Sequence, residues 1–516
     1  MNEERAAGRL ALDGSSSREA ALAMDGATFR RLGHQLVDQV AQFLESLRQR
    51  SVTCDESPSA VREALDLTGP LPELGMDPAL LLEQTAQRLF THSLFNGHPR
   101  FFGYITSAPA PIGILGDFLA AAVNPNVGAW TLSPAATEIE AQTVRWIAEF
   151  IGYPVNCGGL LVSGGNMANF VCFLAARKAR ADWDVREQGI SRDSGRKLRI
   201  YGSVETHTWI QKAADISGLG TSSIRWIATD ENLRMDVAAL RRQIEADIGA
   251  GDVPCLVVGT AGSVSTGAID PLREISALCK EYGIWFHVDG AYGGFAAGVA
   301  EAPVDLRALS QADSVAVDPH KWFYAPLEAG CALVRDPEAL RAAFSYHPPY
   351  YHFEERATNY VDYGPQNSRG FRALKVWLAF RHVGAGGYRQ MIADDIRLSR
   401  SMAQAVSHHK ELQLVTQGLS ITTFRYVPRD LRLKLGDPQV ERYLDEVNRE
   451  LLDRVQRGGE TFVSNAVVDG HYLLRACIVN FHTTQADVEA VPDIVAGIGN
   501  AVDAEVRRTI SSRNLE

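Results

Sequence analysis

The sequence predicts an α/β protein: a mostly parallel sheet covered by helices, followed by a smaller α+β domain. Three observations carry that prediction. Between residues 159 and 340, short apolar runs rich in β-branched residues recur at 160–163, 198–203, 224–228, 253–259, 284–289, 314–318 and 330–335. Helical patterns at 166–182, 207–217, 236–247 and 271–282 lie between several of them. Such alternation belongs to a sheet buried on both faces. Beyond residue 410, strand-like runs at 421–426 and 472–480 mix with helical segments at 439–456 and 485–508. At 516 residues the chain is too long for one small core, and its 46% hydrophobic and 22% charged content is that of an ordinary globular protein.

In chain order, residues 1–25 are polar and Ala-rich without the apolar run of a signal peptide, and read as a flexible tail. Residues 26–110 form an N-terminal helical segment. Phe29, Leu32, Leu36, Val40, Phe43 and Leu47 recur at helical spacing, 51–79 reads as an extended connection, and 78–94 as a second helix. This segment has few apolar residues of its own and is expected to pack on the rest of the protein or on a second subunit. The large domain spans 111–385. It opens with a helix at 111–123 and a loop ending at Trp130; Ser133 then suits an N-cap and Pro134 the first helical position of the next helix. Residues 346–368 form a long aromatic loop, which reads as a functional lid. Helices at 371–383 and 385–408 lead into the small domain, 386–516.

The net charge is −11 and no basic run stands out, which argues against nucleic acid and anionic membrane as partners. No run reaches the ~18 apolar residues of a membrane span. The seven cysteines are scattered without a CxxC and read as reduced thiols, so a cytoplasmic location is expected.

Chemistry gathers at strand ends. The run 314–318 ends in Asp318-Pro319-His320-Lys321-Trp322, delivering a lysine where open α/β sheets keep their ligand sites. A lysine in an apolar pocket can lose its proton and form a Schiff base; alone, the segment reads equally well as a surface lysine. Ser163-Gly164-Gly165-Asn166 joins a strand to a helix start, an anion site suited to phosphate. The spacing fits neither GxGxxG nor GxxxxGK[ST]. Asp289 ends another strand, 32 residues before Lys321, and can keep a pyridine ring protonated; small Ala291 leaves room for a flat ring. His207 follows a further strand and can stack on that ring. The bland readings are a strand-end turn cap for Asp289 and a structural histidine for His207. Together the four supply what holding pyridoxal 5′-phosphate (PLP) requires.

These motifs resemble the group II PLP-dependent amino-acid decarboxylases. The resemblance rests on Ser163–Asn169, His207, His287-Val288-Asp289-Gly290-Ala291-Tyr292 and Asp318–Trp322, with His98–Phe102, Ser133–Glu138, Arg369–Lys375 and Leu474–Asn480 in support. It implies a fold-type-I PLP enzyme, a homodimer with sites at the subunit interface, acting on a small-molecule amino acid. Carried over residue by residue, it gives Lys321 as the Schiff-base lysine, Asp289 for the pyridine nitrogen, His207 and Ala291 for the two ring faces, and Gly164, Gly165, Asn166 and His320 for the phosphate. It assigns Tyr350, with Tyr351 the neighbouring alternative, as the acid that protonates Cα. Tyr104, Gly128, Trp130 and Arg369 become candidate substrate contacts. Gly128 stands where the aromatic enzymes carry Phe, so a wider pocket is expected there. Val264 stands where the family has threonine, and Gly164-Gly165-Asn166 is nearer the glutamate-type loop. The expected reaction is decarboxylation of an L-amino acid, aromatic in the first instance. The alternatives are an acidic substrate or other PLP chemistry: aldehyde synthesis, carbon–carbon lysis or transamination. An inactive binding homologue is disfavoured, because each cofactor position holds a competent residue.

Overall fold

The computed structural model describes residues 20–190, 195–348 and 357–513. The chain divides into two compact units. In the first, which takes in residues 20–49 and 56–93, Asp25 caps helix Gly26–Ser46 and Asp77 caps helix Pro78–Thr91. Phe43 stacks on Phe90 with centroids 4.3 Å apart. The connection expected to be extended contains a further short helix, Pro58–Ala64. Ser57 accepts the Ala60 N–H there and Pro58 presets the first turn, a start signal that the surrounding Pro and Asp residues obscured.

The second unit, residues 50–55 and 94–513, holds two sheets. The large one comprises β1 (Gly158–Val162), β2 (Leu198–Ser203), β3 (Ile224–Ile227), β4 (Val253–Thr260), β5 (Trp285–Asp289), β6 (Ser314–Val317) and β7 (Gly330–Val334), in the order β1-β7-β6-β5-β4-β2-β3. The strands from β6 to β3 are parallel, and β7 runs antiparallel to both β6 and β1. All seven runs predicted as strands are strands. Alternate residues divide between two cores: Val257, Val288 and Val315 pack on one face, Leu256, Val258 and Ala316 on the other. Helices Gly165–Arg180, Val237–Gly249 and Leu272–Tyr282 pack against these strands.

The small sheet, β8 (Leu412–Gly418), β9 (Ile421–Tyr426), β10 (Ser464–Val468) and β11 (His471–Cys477), is antiparallel in the order β10-β11-β9-β8. β8 and β10 were not foreseen. β8 carries the polar Gln413, Thr416 and Gln417, and β10 is five residues long and alternates buried and exposed residues along its length. The segment from Ala373 to His408 is helical with a break at Gly384 (φ 70°), the position that separates the two helices expected there.

Candidate active site

The register of the parallel strands brings their carboxyl ends together. Thr260 pairs with Asp289, and Asp289 with Ala316, so β4, β5 and β6 finish at one level. Pro319 ends β6, and a tight turn follows in which the Lys321 N–H donates to the Asp318 carbonyl at 2.9 Å and the Tyr324 N–H to the Lys321 carbonyl at 3.0 Å. The Lys321 Nζ lies 3.0 Å from Asp318 Oδ2, while Asp318 Oδ1 is buried without a partner. Asp289 is 7% exposed; its Oδ2 accepts the Trp209 indole N–H at 2.8 Å and its Oδ1 the Ala291 N–H at 3.1 Å. His207 Nδ1 accepts the Trp209 backbone N–H at 3.2 Å, and burial depresses its pKa, which favours the neutral ring near pH 7.

Opposite this row begins helix Gly165–Arg180. Its N-cap, Gly164, has no side chain to cap the first turn, unlike the aspartates at 25, 77, 236 and 437. The first N–H groups of a helix lack intrahelical partners, so this start is available to an anion. The glycine is required. A Cβ on Gly165 would lie 2.6 Å from Asp318 Oδ2 and 2.7 Å from Ala291 Cβ. His320 sits beside the loop, its Cε1 3.1 Å from where a Gly164 Cβ would stand. Its Nδ1 accepts the Ala329 N–H at 3.2 Å, and burial lowers its pKa.

A cavity of about 290 Å³ opens among these groups. Of the candidate residues, Tyr104, Gly165, Asn166, His207, Asp289, Ala291 and Lys321 line it. Gly164 and His320 lie alongside. Gly128, Trp130 and Arg369 are not on this wall. A Cβ on Gly128 would sit 2.2 Å from the Asn367 carbonyl oxygen, so within its own chain the glycine serves a close approach of two loops and opens no space in the cavity. Trp130 donates its indole N–H to Glu138 at 2.9 Å. Arg369 is buried, bonded to Glu140 at 2.5 Å and to the carbonyls of Leu161 and Val127 at 2.6 and 2.9 Å. Tyr350 and Tyr351 lie outside the described residues. A larger cleft of about 810 Å³ opens at the other, amino-terminal ends of β2 and β4, around Arg180, Asp182 and Arg196, and gathers none of the candidate residues. Among the described residues no cluster of His, Cys, Asp and Glu could hold a metal.

Two residues of the site escaped the sequence reading. Trp209 supplies the Asp289 donor, and nothing in its local pattern marks it. Arg475 did leave a signal: a charge inside the apolar run of β11, which a buried strand tolerates only with partners. It is 4% exposed, donates to Ser464 Oγ at 3.0 Å and the Tyr104 carbonyl at 2.7 Å, and reaches the cavity with its Nε unpartnered.

The donor set therefore fits PLP: a primary amine, a buried carboxylate, a flat imidazole and an uncapped helix start face one cavity. A sequence model of the pyridoxal-dependent decarboxylase conserved domain matches residues 70–427. The chain belongs to this family. It is a PLP-dependent amino-acid decarboxylase with the fold of the fold-type-I class. It is 32% identical to an aromatic-L-amino-acid decarboxylase of Bacillus atrophaeus over 472 residues, 90% of this chain and 94% of that one. A phenylacetaldehyde synthase of a Rosa hybrid cultivar is 29% identical, covering 90% and 92%. The crystal structure of Oryza sativa TDC with PLP and tryptamine superposes with a TM-score of 0.85 at 25% identity, covering 93% of the decarboxylase and 99% of that chain. No helix among the described residues is long and apolar enough to cross a membrane.

Proposed function

We propose that this decarboxylase removes the α-carboxyl group of an aromatic L-amino acid, releasing the amine and CO₂, as a cytoplasmic homodimer. The observation that carries the reading is the convergence of Lys321, Asp289, His207 and the Gly165 helix start on one cavity. PLP, when bound, supplies a sink for the electrons left at Cα as CO₂ departs. Lys321 would carry the cofactor, and Asp318 Oδ2, 3.0 Å from its Nζ, holds the free amine in place. Asp289, already accepting the Trp209 indole, would keep the pyridine nitrogen protonated. Neutral His207 and Ala291 would pack on the ring, and Gly164, Gly165, Asn166 and His320 would take the phosphate. Arg475, a buried cation on the cavity wall beside Tyr104, suits the substrate carboxylate. Tyr350, adjacent to Tyr351, is the proposed acid that delivers the proton to Cα.

The aromatic assignment is supported by Tyr104, Ile105 and Tyr292 on the cavity wall and by the relatives named above. The dimer is supported by helix Pro111–Val123, where Leu115, Phe118, Leu119 and Val123 are each more than half exposed. The compartment is supported by the buried or half-buried thiols of Cys157, Cys172, Cys255, Cys279, Cys331 and Cys477, which form no disulfide.

The test is a panel of L-amino acids assayed for CO₂, amine and peroxide. Amine and CO₂ in equal amounts from an aromatic substrate, with turnover lost in Lys321→Ala, is the expected result. Preference for an acidic amino acid overturns the substrate assignment, and peroxide with aldehyde overturns plain decarboxylation.

A further inference from the structure

Trp322 and Tyr324 flank the turn that presents Lys321, and both are buried, at 0% and 1% exposure. Neither lines the cavity. Both donate to one oxygen: the Trp322 indole N–H lies 3.1 Å and the Tyr324 hydroxyl 2.8 Å from Asp395 Oδ2. Asp395 stands on the helix Ala373–His408, beyond its break at Gly384, and is 2% exposed. The Tyr324 ring packs edge-on against Phe481, centroids 5.4 Å apart, just beyond β11, the strand that carries Arg475 into the cavity. The residues that follow Lys321 are thus bonded to Asp395 and packed on the chain just beyond the arginine strand.

We propose that Asp395 is a positioning residue for the cofactor site, holding the turn of Lys321 against the chain beyond the strand of Arg475 so that amine and guanidinium keep one spacing. Several features follow from that role. Tyr324 adopts φ 51°, a left-handed backbone that a bulky residue keeps only when its surroundings over-determine it. Its hydroxyl on Asp395 and its carbonyl, which accepts the Ala110 N–H at 2.7 Å, supply two such constraints. Trp322 in turn stacks on Tyr292 of the cavity wall, centroids 4.8 Å apart. Holding Trp322 therefore also holds that wall. Burial pushes the Asp395 carboxyl up to about 8, and the Tyr324 and Trp322 donors oppose that shift. A buried acid that costs this much to ionise is kept for more than packing, since an apolar residue would fill the same volume at less cost.

The test uses the PLP-loaded enzyme and three variants. Tyr324→Phe removes one donor and leaves the ring, Asp395→Asn replaces one carboxyl oxygen with an amide donor, and Tyr426→Phe is the control. Tyr426 is also buried and donates its hydroxyl, to Asn500 Oδ1 at 2.9 Å, but it packs in the core of the small sheet away from the cavity. The readouts are the visible circular dichroism of the bound cofactor and the half-time of its release into phosphate buffer. Tyr324→Phe and Asp395→Asn are expected to halve the dichroism and shorten the half-time at least fivefold, with Tyr426→Phe within 1.5-fold of wild type. If Tyr324→Phe keeps both readouts within 1.5-fold, or if the control changes as much, Asp395 is a packing residue only and the proposal fails. Because Tyr324→Phe leaves the carboxylate and the core volume in place, the test stands even if Asp395→Asn does not fold.

Discussion

Asp289 and its donor separate two roles that one substitution would confuse. The carboxylate supplies charge, while Trp209 fixes where that charge sits, through an indole bond of 2.8 Å. Asp289→Asn keeps the shape and loses the charge, so turnover should fall at least a hundredfold with the fold intact. Trp209→Phe keeps the charge and loses a hydrogen bond to it, worth about 1.5–3 kcal/mol. It should weaken PLP binding about tenfold or more, by the same conversion of ~1.4 kcal/mol per decade, read by titrating the apoenzyme with cofactor. His287, two residues earlier on β5, gives a pH signature. It is fully buried between Asn169 Oδ1 at 2.7 Å and Ser314 Oγ at 2.8 Å, and burial lowers its pKa to about 4. The unfolded chain takes up this proton near the ordinary value of 6.5 and the folded chain only near 4. The stability this residue contributes is therefore complete above pH 6.5 and falls steadily to pH 4. Asp270, raised by burial to about 6, works in the opposite direction over part of the same range. Comparison with His287→Gln isolates the histidine: between pH 7 and 5 the variant's thermal midpoint should fall less than the wild type's. An equal fall in both would exclude His287 as the source.

The elements that hold the site differ in how openly the sequence declared them. The seven strands of the large sheet were legible because parallel strands buried on both faces read as continuous apolar runs, and the turn residues Asp318-Pro319 and Gly164-Gly165 marked where two of them end. β8 was hidden by the polar residues of a half-exposed edge strand and β10 by its short length, and Trp209 by the fact that its partner lies 80 residues away. The helix start at Gly165 is the element where close approach matters most. An alanine there would push into Asp318 Oδ2 at 2.6 Å, itself engaged by Lys321, so Gly165→Ala should lower PLP affinity at least tenfold in equilibrium dialysis. Arg369 was read as a substrate contact because its motif sits with the functional ones. Its surroundings show what it does within its own chain: it ties helix Pro134–Phe150, β1 and the loop carrying Val127 together through Glu140 and two carbonyls. Removing one member of a fully buried pair leaves an uncompensated charge, costing about 3–5 kcal/mol. Glu140→Gln should accordingly lower the unfolding free energy, read by denaturant titration, by an amount of that order without changing substrate preference.

At the scale of the whole molecule, the chain presents apolar surface and displaced candidate residues in the same place. Helix Pro111–Val123 exposes Leu115, Phe118, Leu119 and Val123, and the loop after it carries Gly128 and Trp130, which do not line the cavity of their own chain. In a two-fold dimer the same patch faces itself across the axis, so a residue unused by its own site can complete its partner's. Burying the exposed half of each of these side chains on both protomers would favour association. If this patch is the interface of the proposed dimer, Phe118→Asp should lower the sedimentation coefficient to that of a monomer and lower turnover in parallel. Mixed dimers decide whether Trp130 acts across the interface. Lys321→Ala removes the cofactor lysine of its own site, and Trp130→Ala impairs whichever site Trp130 serves. If that site is the partner's, a heterodimer of the two variants contains one site with both residues native. Random mixing makes half of the dimers heterodimers, so activity should recover to about a quarter of wild type. If Trp130 serves its own site, every site in the mixture lacks one of the two residues, and mixing restores nothing.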